Sequence, residues 1–189
     1  MKNQLLHTPE GVRDIYNEEC EKKLELQDRL HKALKRHGYH SIQTPTFEFF
    51  DIFGKEVGTI PSNELYKFFD REGNTLVLRP DITPSIARSA AKYFMDEDMP
   101  IRLSYMGNTF INNHSYQGRL KESTQLGAEL IGDDTVDGDA EMIAMAIDAL
   151  KSSGLKDFQI SVGHVEFFRG LMEAAGLSEE QEEVIRELI

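Results

Sequence analysis

Ser123-Thr124-Gln125-Leu126-Gly127-Ala128-Glu129-Leu130-Ile131 alternates with the period of a β-strand. Side chains two apart share a face of a strand, so Ser123, Gln125, Gly127, Glu129 and Ile131 point one way. Thr124, Leu126, Ala128 and Leu130 point the other way, and their largely apolar character predicts that this side faces a core. Gln125 and Glu129 therefore flank a glycine on one face. An amide and a carboxylate with an empty position between them form a cradle for a small polar ligand, above all one bearing an ammonium group. A solvated sheet face gives the same alternation, so this strand alone leaves both readings open.

Working outward, residues 101–110 read as a second long strand, joined to residues 121–131 through the polar loop Asn112 to Gly118. Upstream, residues 65–69 and 75–79 flank Asp70-Arg71-Glu72-Gly73-Asn74, a good hairpin loop. Thr83-Pro84 reads as an N-cap followed by a first-turn proline. Ile86, Ala87, Ala90, Ala91 and Phe94 supply the apolar stripe of the helix behind it. Tyr39 to Phe50 is rich in β-branched and aromatic residues but holds Pro45, which donates no ladder hydrogen bond and so predicts an edge strand or an unusual partner. A helix starts near Asn17, with Asn17 as its expected cap, Glu18 and Glu19 in the first turn, Lys35 and Arg36 in the last, and Gly38 as the stop. Downstream, a helix runs from about Asp137 to Ser153 and ends at Gly154, then a strand at 157–163 and a helix at 165–175. Ser178-Glu179-Glu180-Gln181 has the capping-box pattern, and the apolar stripe Val184, Ile185, Leu188 stops mid-pattern at Ile189, which we read as the mark of a C-terminally truncated fragment. Residues 1–189 are expected to form one domain of the α+β class, with a mostly antiparallel sheet flanked by helices.

Composition narrows the function classes. The chain has 189 residues, 40% of them hydrophobic, and a formal net charge of −12. Such an acidic surface repels phosphate backbones, so nucleic acid is a poor partner. A single cysteine, Cys20, forms no internal disulfide and suits a reducing cytoplasm. No stretch approaches the roughly 20 apolar residues of a membrane span, so we expect a cytoplasmic protein without a membrane partner. The histidines lack metal-ligand spacing, and neither a metal nor a cofactor is assigned.

Two further stretches attract attention. Leu78-Arg79-Pro80-Asp81-Ile82-Thr83-Pro84 joins a strand end to a helix start, where Asp81 and Thr83 are placed to accept from a ligand ammonium; helix capping explains Thr83 equally well. Ile131-Gly132-Asp133-Asp134-Thr135-Val136-Asp137-Gly138 has the outline of a phosphoribosyl-pyrophosphate loop. It lacks the small and hydroxyl residues that would cradle phosphate, and we read it as a strand exit and helix entrance.

Taken in order, several landmarks resemble the class II aminoacyl-tRNA synthetases, and within them the histidyl-tRNA synthetase lineage. They are Thr8-Pro9-Glu10-Gly11-Val12-Arg13-Asp14; Thr44-Pro45 with Glu48, similar to motif 1; Glu64 to Phe68; Leu78 to Thr83; and Tyr105-x-Gly107 through Gly118-Arg119 to Gln125-x-Gly127-x-Glu129, similar to motif 2 and the strand after it. The resemblance covers nearly the whole chain. It implies a class II synthetase-like catalytic core, a dimer interface at the proline strand (Pro45), and an amino-acid pocket in which Asp81, Thr83, Gln125 and Glu129 surround the ammonium end. Asp81 stands where the synthetases usually have glutamate.

The departures carry the functional expectation. Ile111 replaces the motif 2 arginine on the ATP α-phosphate, Asn113 replaces the adenine-reading glutamate, and His114 stands in for a second arginine. Adenylation builds negative charge that a placed cation stabilises, and isoleucine offers none. Arg119 remains as a residual phosphate contact. A synthetase-like fold with these losses resembles the regulatory subunits of ATP phosphoribosyltransferase. That resemblance implies a non-catalytic, cytoplasmic hetero-oligomer partner of the short catalytic subunit, conveying feedback by histidine in the first step of histidine biosynthesis. The rival readings are a divergent histidyl-tRNA synthetase and a histidine sensor unrelated to the transferase.

Overall fold

The computed structural model describes residues 4–54, 60–113, 120–178, 180–181 and 184–185. Two compact units are present, residues 1–155 and residues 156–189.

The larger unit is built around a long hairpin. β5 (Ile101–Phe110) and β6 (Glu122–Ile131) run antiparallel through ten pairs, from Ile101↔Ile131 to Phe110↔Glu122. β1 (His40–Ser41) adds to β5 in parallel, giving the order β1-β5-β6. One face of this sheet is covered by α1 (Asn17–Arg36) and α3 (Val136–Ser153), which pack on each other and meet the sheet through Leu34, Tyr39, Met142, Met145, Leu126 and Ala128. The alternation in β6 is thus realised: Leu126 and Ala128 do face a core. The opposite face packs Ile101, Leu103 and Tyr105 against Ile82 and Ile86, with Ile86 on α2 (Thr83–Tyr93).

A second sheet, β2-β4-β3, contains β2 (Phe47–Phe49), β3 (Lys67–Phe69) and β4 (Thr75–Leu78), all antiparallel. Its Val77 side closes over Phe53 and Leu65. On its other side Phe47 and Phe49 are 50% and 56% exposed, and Phe47 meets Phe68 edge to face at 5.7 Å.

Three expectations are corrected. Tyr39 to Phe50 is not one strand: β1 and β2 lie in different sheets, and Pro45 sits in the extended stretch between them. Asn17 does not cap α1; it is the first helical residue, at φ +51°, and no side chain caps the preceding Tyr16 position. The stop is as expected, with Gly38 at φ +84°, a conformation that favours glycine. In the smaller unit, residues 157–163 form no strand; α4 (Val165–Ala174) begins at His164, whose Nδ1 accepts from the Phe167 N–H. Ser178 and Gln181 do form the reciprocal capping box, the Gln181 N–H donating to Ser178 Oγ and the Ser178 N–H to Gln181 Oε1.

Polar pins tie α3 to the sheet and to α1. Arg102 on β5 grips Glu141 with two bonds, Nε to Oε1 at 2.8 Å and Nη2 to Oε2 at 2.7 Å, and the Tyr39 hydroxyl donates to Glu141 Oε1 at 3.0 Å. Arg102 holds the Glu141 carboxyl down at about 2, against 4.5 ordinarily, and Tyr39 adds to the effect while burial opposes it. A depressed folded-state value means that this contribution to stability is complete above the ordinary value and fades as pH falls toward the folded one. The urea midpoint should therefore fall as pH is lowered from about 4.5 to about 2. Glu141→Gln should lose part of that pH dependence; an identical slope in the variant would show that the grip contributes nothing.

Candidate functional site

β6 presents Gln125, Gly127 and Glu129 on the face turned to α2, and the ladder sets each against a β5 partner: Gly107↔Gln125, Tyr105↔Gly127 and Leu103↔Glu129. Asp81 and Thr83 come to the same place from the turn between β4 and α2. The Thr83 hydroxyl donates to Glu129 Oε1 at 2.8 Å, and Gln125 Nε2 donates to Asp81 Oδ1 at 3.2 Å. All four residues expected to form the cradle are brought together.

Thr83 does not cap its own helix. Its hydroxyl reaches across to Glu129, while Asp81 Oδ1 accepts from the Ile82 N–H at 2.7 Å and, at 3.5 Å, from the Thr83 N–H. The Asp81 side chain, two residues earlier, thus accepts from the backbone at the head of α2, where the Ile82 N-cap position has no side-chain cap.

The position over Gly127 is not empty. The Tyr105 ring lies across it so closely that a Cβ at residue 127 would collide with the ring and the hydroxyl. Nothing in the alternation of a single strand signals Tyr105, which comes from the neighbouring strand. Its hydroxyl stands 3.5 Å from Thr83 Oγ1, and its acidity is weakened first by burial, then by the charges of Glu129 and Asp81. The floor of the site is thus an aromatic ring between two carboxylates.

Not every acceptor in the cluster is used. Gln125 Oε1 is buried and has no partner. Among the described residues the second oxygen of Asp81 also makes no hydrogen bond, while the Glu129 carboxylate accepts from the Thr83 hydroxyl and is hydrogen-bonded by Tyr105 as well. Unpartnered acceptors on Gln125 and Asp81, beside the negative charges of Asp81 and Glu129, would suit a group with several donors and a positive charge, such as an ammonium.

The remaining assignments lie around this centre. Ile111 follows β5 directly and its N–H donates to the Lys121 carbonyl, extending the ladder by one residue. Lys121 is the cation nearest in register to Ile111, but its stem lies over Gly11 and its Nζ reaches Asn112 Oδ1 at 3.4 Å. Asn113 Oδ1 is buried without a partner. His114 and Arg119 fall outside the described residues. Pro45 is exposed, with its carbonyl accepting from Arg79 Nη1 at 3.2 Å. Asp133 accepts from the Thr135 N–H and hydroxyl, and Thr135 Oγ1 accepts from the Gly138 N–H at the head of α3, so residues 131–138 are a strand exit and helix entrance. No group of three His, Cys, Asp or Glu side chains among the described residues is placed to hold a metal ion. No helix among them is long and apolar enough to cross a membrane.

The model of the histidyl-tRNA synthetase family matches residues 11–189. The chain belongs to that family. Among its curated relatives, an ATP phosphoribosyltransferase regulatory subunit of Acetivibrio thermocellus is 51% identical over 97% of the chain, and one of Ruminiclostridium cellulolyticum is 48% identical over all of it. The chain spans 44% and 45% of those relatives' own lengths. In three dimensions it is similar to an ATP phosphoribosyltransferase regulatory subunit/histidyl-tRNA synthetase from Bacillus halodurans C, with a TM-score of 0.87 and 38% identity over 97% of this chain and 47% of that one. An apo histidyl-tRNA synthetase of S. aureus follows the same fold, with a TM-score of 0.67 and 31% identity over 80% of this chain and 35% of that one. The expected class II synthetase-like α+β architecture and the resemblance to the regulatory subunits both hold.

Gly127→Ala tests the floor of the site. The added methyl meets the buried Tyr105 ring, so the substitution should lower stability by about 1–3 kcal/mol, as overpacking does. Denaturant titration reads this directly, and an unchanged midpoint would mean that the ring does not rest there.

Proposed function

We propose that the chain is the synthetase-like part of a non-catalytic regulatory subunit of ATP phosphoribosyltransferase, which binds histidine and passes its presence to the short catalytic subunit at the first step of histidine biosynthesis. The observation that carries this reading is the joined set Thr83–Glu129 and Gln125–Asp81, with the buried Gln125 Oε1 left without a partner among the described residues. An amino-acid ammonium satisfies Asp81, Gln125 and Glu129 at once, and Thr83 holds the Glu129 carboxylate in position for it.

Sensing rather than catalysis follows from the neighbouring positions. Ile111 and Asn113 stand where adenylation requires a cation on the α-phosphate and a reader of adenine, and Arg119 is left as a residual phosphate contact. A pocket that binds an amino acid without activating it can bias an assembly only by preferring one of its states. The relatives' printed names support the transferase as the regulated enzyme. Self-association through the strand that follows Pro45 is supported by the exposed aromatic face of Phe47, Phe49 and Phe68. The protein works in the cytoplasm, without nucleic acid.

Three outcomes are expected. Calorimetry should show histidine binding that Glu129→Ala weakens by about tenfold or more, the loss of one charge-assisted contact; heat unchanged by that substitution removes the pocket. Histidine-dependent ATP–pyrophosphate exchange should be absent, and turnover at synthetase-like rates would make the protein an enzyme. The short transferase subunit should be retained by the protein in a pull-down, and its failure to bind would leave a sensor unrelated to the transferase.

A further inference from the structure

Arg79 is only 7% exposed, yet among the described residues no carboxylate lies within ion-pair distance of it. Its guanidinium is held by main-chain carbonyls: Nε donates to Asn108 O at 2.8 Å, and Nη1 to Thr44 O at 2.9 Å and Pro45 O at 3.2 Å. Gly107 gives it room, since a Cβ there would collide with Nη2. Among the described residues Nη2 makes no hydrogen bond.

The local charge does not balance. Glu48, itself buried, is the one carboxylate whose field reaches Arg79, and it is already committed to Arg88, with Nη2 at 2.7 Å and Nε at 3.2 Å from the same oxygen. Among the described residues two guanidiniums share one carboxylate, which leaves one positive charge in excess there, inside a chain whose net charge is −12. Burial works against that charge, pushing the Arg79 guanidinium down.

Beside Arg79 lies a recess of about 210 Å³, lined by polar Gln43, Thr44 and Thr46 and closed by Ile82, Tyr105 and Met106. At the roughly 30 Å³ that a water claims in the liquid, this holds a small polyatomic ion with a few waters. We propose that this recess is a binding site for a small oxyanion of the phosphate or sulfate class, with Arg79 supplying the charge and Thr44 and Thr46 supplying hydroxyl donors. Fork-shaped guanidinium donors match such an oxyanion, and pairing with it removes the excess charge. The site shares Tyr105 with the amino-acid cradle but none of Asp81, Thr83, Gln125 or Glu129, and it does not depend on the function proposed above.

The test is a titration of the protein with inorganic phosphate, followed by backbone amide NMR at constant ionic strength with chloride as the control. Saturable shifts at residues 43–46, absent with chloride, are expected. Arg79→Met should abolish them. Thr46→Val leaves every bond of the Arg79 guanidinium in place and Thr44→Val removes only the 3.4 Å bond from Nη1 to Thr44 Oγ1; each should weaken binding by about threefold to tenfold, the loss of one hydrogen bond to an ion. If Arg79→Met fails to fold, the two threonine variants decide. Shifts that never saturate, or that chloride reproduces, or that survive both threonine substitutions unchanged, overturn the proposal.

Discussion

The antiparallel register of β5 against β6 is the constraint on which the rest of the larger unit depends. Ten pairs fix which residues of β6 look toward α1 and α3 and which look toward α2. A slip of one residue would turn Leu126 and Ala128 to the polar side and bury Gln125 and Glu129 against Leu34 and Met145, so the slipped pairing is excluded by desolvation alone. The cradle is therefore a by-product of core formation. Its side chains stand where they do because their neighbours one position away are apolar.

Around that hairpin the two sheets are linked by Arg79, which directly follows β4 and is anchored to carbonyls of Thr44, Pro45 and Asn108. Its backbone joins the same network: its N–H donates to the Thr46 carbonyl and its own carbonyl accepts from the Phe110 N–H. Asp81 and Thr83 follow two and four residues later. The position of the cradle's upstream half is thus set by a buried cation whose removal would leave several carbonyls unpaired, a costly state in a dry setting. Gly107 and Gly127 open the two places on the hairpin where a large side chain, Arg79 in one case and Tyr105 in the other, must lie flat on the backbone.

Much of this was legible in the residues. Strand alternation placed Gln125 and Glu129 on one face without any partner strand in view, and helix signals located α1, α3 and α4 nearly to the residue. What failed had physical causes. The space beside Gly127 read as empty because a single strand says nothing of the ring that the adjacent strand lays over it. Thr83 was balanced between capping and ligand contact, and only the approach of Glu129 in space resolves the choice. Residues 157–163 carry strand-like composition, but β-propensity expresses packing against neighbouring strands more than a preference of the backbone itself. Arg79 stood in plain view in Leu-Arg-Pro; an arginine beside the last apolar residue of a strand, just before a proline, was the available signal of a buried anchor.

The function we propose rests on one contact, an ammonium recognised by Asp81, Gln125 and Glu129. The most direct measurement compares histidine with imidazolepropionate, which keeps the ring and carboxylate but lacks the ammonium, by calorimetry on the protein. The account predicts that losing the ammonium weakens binding by about tenfold or more, as expected for charge-assisted hydrogen bonds. Equal affinity for the two compounds would contradict it.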